Sequence, residues 1–325
     1  MSNLPRALVT GGAGFIGSHV SDALLGAGYD VVVADDFSTG RAENVPAAAR
    51  VESLDVGSPE AAALVRGGGF DLICHLAAQI DVRLSVSDPM ADATRNILAA
   101  LNVLEAARTA RRRPRVVFSS TGGAIYGEFV PPPSAEDQPK DPESPYGVAK
   151  LAIEFYLAYY GRVHGLETVT LRYANVYGPR QNPEGEAGVV SIFCQRLLAG
   201  QPLTLYGTGA QTRDYVYVGD VAAANVLAAR VELPPAGRLD DRAFNIGTAI
   251  PTSVLQLAAL LQREAGSSLP VQFASPRKGE QQRSFVSIGK AARVLGWVPE
   301  VSLDRGLAET FQWFHLRHEG LRVAL

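Results

Sequence analysis

Short runs of apolar and β-branched residues alternate with longer helical patterns over the first 180 residues of this 325-residue chain. Strand patterns include residues 7–12 (ALVTGG), 30–36 (DVVVADD) and 115–120 (RVVFSS), and residues 168–179 (TVTLRYANVYGP) read as a further strand. Parallel strands need crossovers between them, and strands that are apolar throughout are buried on both faces. The alternation therefore predicts an α/β fold in which helices cover both faces of a doubly wound parallel sheet.

The regular alternation of strand and helix patterns ends at about residue 178, after which loop, helix and short-strand patterns mix. We predict a first domain over residues 1–177 and a smaller C-terminal lobe over 178–325. The segment 243–247 reads as a strand that returns to the parallel sheet, so the two lobes are expected to interleave. A cleft between them is the expected place for a ligand.

Composition and charge exclude several classes of function. The chain is 47% hydrophobic and 19% charged, and its formal net charge of -3 gives no general attraction to nucleic acid or to an anionic membrane. No apolar run approaches the roughly 20 residues that span a bilayer. Cys74 and Cys194 lie in apolar segments, which favours a reducing compartment with neither disulfides nor a metal cluster. Since the N-terminus leads straight into a strand without a signal peptide, we expect a cytoplasmic protein.

A glycine-rich loop follows the first predicted strand. Residues 8–17 (LVTGGAGFIG) contain G-x-G-x-x-G between a strand and a helix, where glycines allow close approach of a pyrophosphate to a helix N-terminus. The next strand ends in Asp35 and Asp36, eighteen residues beyond Gly17, near the spacing of a ribose-binding acid. A carboxylate there accepts from a 2′-hydroxyl and repels a 2′-phosphate. The pattern indicates a Rossmann-type site for NAD rather than NADP. Arg41 argues weakly in the other direction, because its positive charge would favour a 2′-phosphate.

Residues 144–150 (SPYGVAK) place a tyrosine and a lysine one helical turn apart. Ser144 is a good N-cap and Pro145 a good first residue, so Tyr146 and Lys150 share one helix face. Taken alone, the pair is compatible with ordinary helix surface or with an acid/base pair. For the second, an ammonium and a cationic nicotinamide would have to lower the tyrosine pKa from about 10.

Several motifs together resemble the extended short-chain dehydrogenases/reductases, and within them the NAD-dependent nucleotide-sugar epimerase/dehydratase group, especially UDP-glucose 4-epimerases. The resemblance covers essentially the whole chain. The motifs that carry it are TGGAGFIGS at 10–18, HLAAQ at 75–79, SPYGVAK at 144–150, LRYANVYGPRQ at 171–181, RDYVYVGDVA at 213–222 and LGWVP at 295–299.

The resemblance implies roles for individual residues. Tyr146 would be the acid/base, Lys150 would hold the nicotinamide ribose, and Thr121 would contact the reacting sugar oxygen. The residues implied to bind NAD are Gly11, Gly14, Phe15, Ile16, Gly17, Asp35, Asp36, Ser38, Asp55, Val56, Leu76, Ala77, Ala78, Gln79, Asn96, Tyr146 and Lys150. Those implied to bind a UDP-sugar are Thr121, Tyr146, Asn175, Val189, Arg213, Arg277, Glu280 and Ser284. Asp220 is expected to cap the helix that follows it.

One feature distinguishes between sister reactions, and another concerns the choice of sugar. Gly122 and Gly123 follow Thr121 where related 4,6-dehydratases carry an acid and a base, and related decarboxylases an acid. The expected reaction is therefore 4-epimerisation through a 4-keto sugar. The small Ser284, four positions after Glu280, predicts that an N-acetyl group at sugar C2 is tolerated.

Alternatives to this reaction remain open. The chain could be another epimerase, a dehydratase or a decarboxylase of the same group, or a non-catalytic dinucleotide sensor. The helices at 94–110 and 146–164 are apolar on more than one face, and by resemblance they predict a homodimer.

Overall fold

A seven-stranded, wholly parallel sheet forms the centre of the computed structural model, which describes residues 4–129, 131–184, 188–277 and 281–320. Its strands are β1 (Arg6–Thr10), β2 (Asp30–Asp35), β3 (Arg50–Ser53), β4 (Leu72–His75), β5 (Arg115–Thr121), β6 (Thr168–Tyr173) and β10 (Ala243–Ile246). They are ordered β10-β6-β5-β4-β1-β2-β3. The chain therefore winds outward in both directions from β1 and β4, and the predicted doubly wound fold is confirmed.

Helices cover both faces of this sheet. One face carries α1 (Phe15–Gly26), α8 (Val218–Arg230) and α10 (Gly289–Leu295), and the other carries α2 (Pro59–Gly67), α5 (Ala99–Thr109) and α6 (Pro145–His164). Between β4 and α5 lie α3 (Val82–Ser87), α4 (Pro89–Ala93) and a π-helical turn at Thr94–Leu98.

Alternate residues of a single strand supply the two layers. Val31 and Val33 of β2 pack into the core under α1, whereas Val32 and Ala34 pack into the core under α5. This explains why the central strands are apolar throughout, because side chains of both parities are buried.

The second lobe has smaller sheets and a core of its own. The short strands β7 (Asn175–Tyr177), β11 (Pro251–Ser253) and β13 (Arg283–Ser284) pair with β9 (Thr212–Tyr217), while β8 (Thr204–Tyr206) pairs with β12 (Gln272–Ala274). Helices α7 (Val189–Leu198), α9 (Val254–Glu264) and α11 (Leu303–His318) pack around a third apolar cluster. Within the described part of the chain, every helix is too short or too polar to cross a bilayer.

The strand predicted over residues 168–179 is two strands that belong to different sheets. The backbone N–H of Ala174 still donates to Ile246 of the central sheet, and the next residue, Asn175, already pairs with Tyr215 in the second lobe. The single-strand prediction was wrong because an apolar run does not show at which residue a strand changes its partner. This change of sheet brings the second lobe next to the carboxyl ends of β5 and β6.

Asp220 does not cap its own helix, contrary to the prediction. It lies in the first turn of α8, and its carboxylate accepts from the backbone N–H groups of Glu300 and Val301, each at 3.1 Å. The Trp297 indole donates to the Asp220 carbonyl at 2.9 Å. Asp220 therefore fastens the segment before α11 to the helix layer, a contact between residues about 80 positions apart.

A buried ionic network joins α6 to the sheet and to the second lobe. Arg172 of β6 and Glu154 of α6 have side chains only 0% and 1% exposed, and Arg172 Nη2 lies 2.6 Å from a Glu154 oxygen. The same guanidinium bonds Asp240 at 2.6 Å and the Tyr126 hydroxyl at 3.1 Å. The Ser120 hydroxyl also donates to Glu154. The charges of Arg172 and Glu154 are therefore compensated only while β6, α6 and the loop that carries Asp240 keep these positions.

We predict that Arg172→Met lowers the free energy of unfolding by about 3–5 kcal/mol, since it leaves the Glu154 carboxylate buried without its partner. Urea denaturation of the purified protein measures the change. Adding Glu154→Leu to Arg172→Met should recover part of the loss, because no unpaired charge then remains. The control Arg305→Met removes an exposed pair with Glu309 and should change stability little. An Arg172→Met protein as stable as the control would contradict the role assigned to this pair.

Candidate active site

The glycine-rich loop connects β1 directly to α1. Gly14 caps the 12-residue helix with extended backbone, and residues 15–18 of its first turn, including Phe15 and Ile16, are uncharged. A Cβ atom at Gly17 would lie 2.1 Å from the Gly11 carbonyl oxygen, so the helix can start this close to the loop only with glycine there. The helix N-terminus thus has the backbone geometry that binds phosphate groups.

Asp35 and Asp36 stand at the end of β2 in different surroundings. Asp35 is buried and braces the glycine loop, since its carboxylate accepts from the backbone N–H groups of Ala13 and Phe37, both at 2.9 Å. Burial raises the pKa of Asp35 above its ordinary value, and these two N–H groups oppose the rise. Asp36 is exposed and accepts from the Ser38 backbone N–H and hydroxyl at 2.9 and 2.7 Å. An exposed acid and a structural acid therefore share this strand end.

The next predicted pair begins two residues after the end of β3, at the same sheet edge. Asp55 accepts from the Gly57 N–H at 2.8 Å, and the Val56 carbonyl accepts from the Asn102 side chain at 2.9 Å. Asn102 also bonds the Ser58 carbonyl at 2.8 Å. The turn that carries Asp55 and Val56 is thereby held against α5.

Leu76, Ala77, Ala78 and Gln79 follow β4 and pack against the glycine loop. The N–H groups of Leu76 and Ala77 donate to the Thr10 hydroxyl at 3.2 and 3.3 Å. A Cβ atom at Gly11 would lie only 2.7 Å from the Ala77 nitrogen. The buried Asn96 accepts from the Gln79 N–H at 2.9 Å and donates to its carbonyl at 3.0 Å. Asn96 therefore positions this segment from the neighbouring helix.

The tyrosine–lysine helix begins as its sequence predicts. Ser144 is the N-cap of α6, its hydroxyl accepts from the Gly147 N–H at 3.1 Å, and Pro145 is the first helical residue. The buried Lys150 ammonium donates to the Ser119 carbonyl of β5 at 2.8 Å and lies 5.8 Å from the centre of the Tyr146 ring. The pair is thus fixed to the strand that ends in Thr121.

Burial controls the charge states of the pair. It lowers the pKa of Lys150 to about 8, against the charges of Asp92 and Glu154, which raise it. It raises the pKa of Tyr146 above its ordinary value, and the Asp92 carboxylate raises it further. The chain's own groups therefore keep Tyr146 protonated at neutral pH, and Lys150 alone does not produce the predicted lowering.

Thr121 and Asn175 approach each other across Gly123. A Cβ atom at Gly123 would lie 3.8 Å from the Thr121 hydroxyl and 3.9 Å from the Asn175 side-chain oxygen. A Cβ atom at Gly122 would meet Val286 at 3.0 Å and the Arg172 carbonyl at 3.2 Å. The second glycine therefore leaves space beside two polar groups, whereas the first is closely packed.

The predicted substrate residues of the second lobe are distributed over two small sheets and a helix. Arg213 of β9 lies opposite Ser284 of β13, and its guanidinium donates to the Thr212 carbonyl at 2.9 Å. Val189 is the first residue of α7. Arg277 is exposed and its guanidinium lies 3.9 Å above the Tyr206 ring, next to the other sheet. Glu280 lies outside the described residues.

Two further groups near the pair were missed by sequence reasoning. Asp92 of α4 is buried and contacts Gln79 and Asn96; its spacing of four residues before Asn96 was the available signal. His75 at the end of β4 shares a 2.7 Å hydrogen bond with the Thr10 hydroxyl. Burial and Lys150 lower the pKa of His75 to about 3, so its imidazole is neutral.

The chain is similar to known proteins over almost its full length. The model of the NAD-dependent epimerase/dehydratase family matches residues 7–247. UDP-glucose 4-epimerase of Mycolicibacterium smegmatis is 43% identical over 314 residues, which are 95% of this chain and 98% of that protein.

Two solved structures are similar to the chain in both fold and sequence. UDP-glucose 4-epimerase of Thermotoga maritima with UDP-glucose superposes with a TM-score of 0.91 at 43% identity, covering 96% of this chain and 99% of that one. UDP-glucose 4-epimerase of Thermus thermophilus in complex with NAD gives 0.87 at 44% identity, covering 95% and 98%. These similarities extend through both lobes.

Proposed function

Because the chain belongs to the NAD-dependent epimerase/dehydratase family, we propose that it interconverts the two C4 epimers of a UDP-hexose. UDP-glucose and UDP-galactose are one substrate pair, and their N-acetylamino counterparts are a second. The observation that carries the proposal is the Tyr146–Lys150 pair, whose Lys150 is bonded to β5 two residues before Thr121. A reversible proton carrier thus stands at the carboxyl edge of the sheet, where ligands bind in this fold.

The residues present fit NAD. The glycine loop makes a tight turn in which Cβ atoms at positions 11 and 17 would collide with the Ala77 nitrogen and the Gly11 carbonyl oxygen, and it opens onto an uncharged helix start. The exposed Asp36 carboxylate suits ribose hydroxyls, and we assign the same role to its partner Ser38. Arg41 lies 3.8 Å from Glu43, which offsets the charge that would favour a 2′-phosphate. Lys150 would hold the nicotinamide ribose, with the 76–79 segment over the pyrophosphate.

When bound, NAD supplies the group that accepts a hydride from sugar C4 and later returns it. Tyr146 removes the proton of the 4-hydroxyl. It returns a proton to the oxygen of the 4-keto sugar after that sugar has rotated to present its opposite face. Since burial keeps Tyr146 protonated, its base form needs the positive charge of Lys150 and of an oxidised nicotinamide together. Thr121 would donate to the sugar O4, and Arg213 and Arg277 would bind the diphosphate.

The sister reactions are disfavoured by the residues after β5. Elimination of water needs an acid and a base, which related dehydratases carry directly after the threonine, and this chain has Gly122 and Gly123 there. A sensor without catalysis would not need a buried lysine one helical turn from a tyrosine. These alternatives remain outcomes of the test that follows.

We predict that the purified protein converts UDP-galactose to UDP-glucose without added reductant or net NADH, and that Tyr146→Phe lowers kcat by about 10²- to 10⁴-fold. Chromatography resolves the epimers, and absorbance at 340 nm follows NADH. Tyr156→Phe, on the exposed side of the same helix, is the matched control and should retain activity. A 4-keto-6-deoxy product from dTDP-glucose would identify a dehydratase instead. Absence of turnover in NAD-containing protein would favour another sugar nucleotide or the sensor.

Ser284 is proposed to determine whether an N-acetyl group fits at sugar C2. It is small and lies opposite Arg213, the residue proposed for the diphosphate. We predict that Ser284→Tyr lowers kcat/KM for UDP-N-acetylgalactosamine by about 10-fold or more and changes UDP-galactose much less. Ser284→Ala, which stays small, should keep both activities. Turnover of the N-acetyl sugar by Ser284→Tyr at the parental rate would remove the argument.

A second copy of the chain is the proposed partner of α6. Phe155, Tyr159 and Val163 lie one turn apart and are 56%, 42% and 60% exposed, and Leu98 of the adjoining helix is 58% exposed. We predict a dimer of twice 34.5 kDa by light scattering and a monomer after Phe155→Glu. Val298→Glu, at a similarly exposed apolar residue elsewhere, should remain dimeric. A monomeric parent protein would overturn this assignment.

We further propose a cytoplasmic protein of sugar-nucleotide metabolism. Its support is that Cys74 and Cys194 are free thiols, each buried in a separate apolar core. Burial raises the pKa of both thiols to about 12, so they are inert packing residues. Such cysteines are typical of proteins from reducing compartments.

A further inference from the structure

Asp92 occupies the centre of the cluster that positions the segment after β4. It is 2% exposed, and the side-chain amides of Gln79 and Asn96 both donate to its Oδ1 atom at 2.9 Å. Asn96 in turn bonds both backbone groups of Gln79. A single buried carboxylate oxygen therefore fixes two side chains that hold the chain over the proposed cofactor site.

The helix that carries this carboxylate, α4, packs against α6, which carries the tyrosine–lysine pair. The charge of the carboxylate raises the pKa of Lys150 and of Tyr146. Burial raises the pKa of Asp92 itself, while the bonds from Gln79 and Asn96 and the charge of Lys150 oppose that rise. Asp92 and Lys150 thus favour each other's charged forms in a site with little water.

The other groups around Lys150 are already committed elsewhere or carry no charge. Glu154, one turn further along α6, receives two bonds at 3.1 Å from Arg172 Nε and a third at 2.6 Å from Nη2. His75, from β4, is neutral at physiological pH. Asp92 accepts from neutral amides, which leave its net charge in place. Of these groups, Asp92 is therefore the carboxylate best able to balance the Lys150 ammonium.

We propose that Asp92 is a positioning residue for the Tyr146–Lys150 pair. It supplies the counter-charge of the Lys150 ammonium, and it fixes the 76–79 segment through Gln79 and Asn96. The inference rests on the proposed function for its catalytic meaning, but the electrostatic interaction of Asp92 with Lys150 belongs to the chain itself. Removing the charge lowers the pKa of both Lys150 and Tyr146. Both limbs of the pH profile then move toward acid, a result that loss of packing alone does not produce.

The chain allows the charge of Lys150 to be measured directly, since it has four lysines, at positions 140, 150, 278 and 290. With ¹³Cε-labelled lysine, NMR gives four signals, and Lys150→Arg identifies the one from Lys150. In the purified protein this signal should titrate near pH 8. Asp92→Asn keeps the shape and the acceptor oxygen, and should move the midpoint down by about one pH unit.

Asp88→Asn is the matched control for Asp92→Asn. Asp88 is the exposed N-cap of α4, four residues earlier, and asparagine caps a helix about as well as aspartate does. Its variant should leave the Lys150 midpoint unchanged. If Asp92→Asn does not fold, Asp92→Ala removes the same charge and should give the same shift. An unmoved Lys150 midpoint in the folded variant overturns the proposal.

The kinetic measurement separates positioning from simple support of the fold. For UDP-galactose epimerisation, the whole pH profile of kcat should move toward acid by about one unit in Asp92→Asn, and Asp92→Glu should restore the parental pH range. A lower kcat with an unmoved profile would assign Asp92 to structure alone and overturn the proposal. If the parent protein has no turnover while the Lys150 midpoint still depends on Asp92, the proposed function fails and the positioning role stands.

Discussion

The buried contact between Arg172 and Glu154 sets the position of the helix on which the chemistry depends. Removing two charges from water is costly, and the cost is offset only when each hydrogen-bonding position has a partner. Here β6, α6, the Tyr126 segment and the Asp240 loop supply those partners together. Since Lys150 and Tyr146 lie one and two turns before Glu154, the same contact fixes the rotation of α6 about its axis.

The two lobes are held by contacts that are remote in sequence. Buried Asp214, the neighbour of Arg213, accepts from the N–H groups of Thr248, Ala249 and Val286. These bonds hold β9 against the turn that follows β10, so the second lobe is attached to the edge of the central sheet. An arginine proposed for the diphosphate is thus positioned by the fold of both lobes.

The features that the sequence could predict are those that depend on residues close together along the chain. The glycine loop, the Ser144 cap and the strand–helix alternation are local properties, and each appears where it was expected. The change of sheet at Ala174 and the contact of Asp220 with residues 300 and 301 depend on partners far along the chain. Spacing alone does not show which residue an acid will meet.

The pKa of Tyr146 shows why the charge state of a side chain cannot be predicted without the folded structure. The sequence predicted that the Lys150 ammonium and a cationic nicotinamide together lower the pKa of the phenol, whereas burial acts on both Tyr146 and Lys150 and opposes both charges. An epimerase must accept and return a proton at one oxygen, so a phenol held protonated by burial is prepared for the return. It becomes an acceptor only where positive charge beyond that of Lys150 is present. A bound oxidised nicotinamide would supply that charge, and proton removal by Tyr146 would then depend on it.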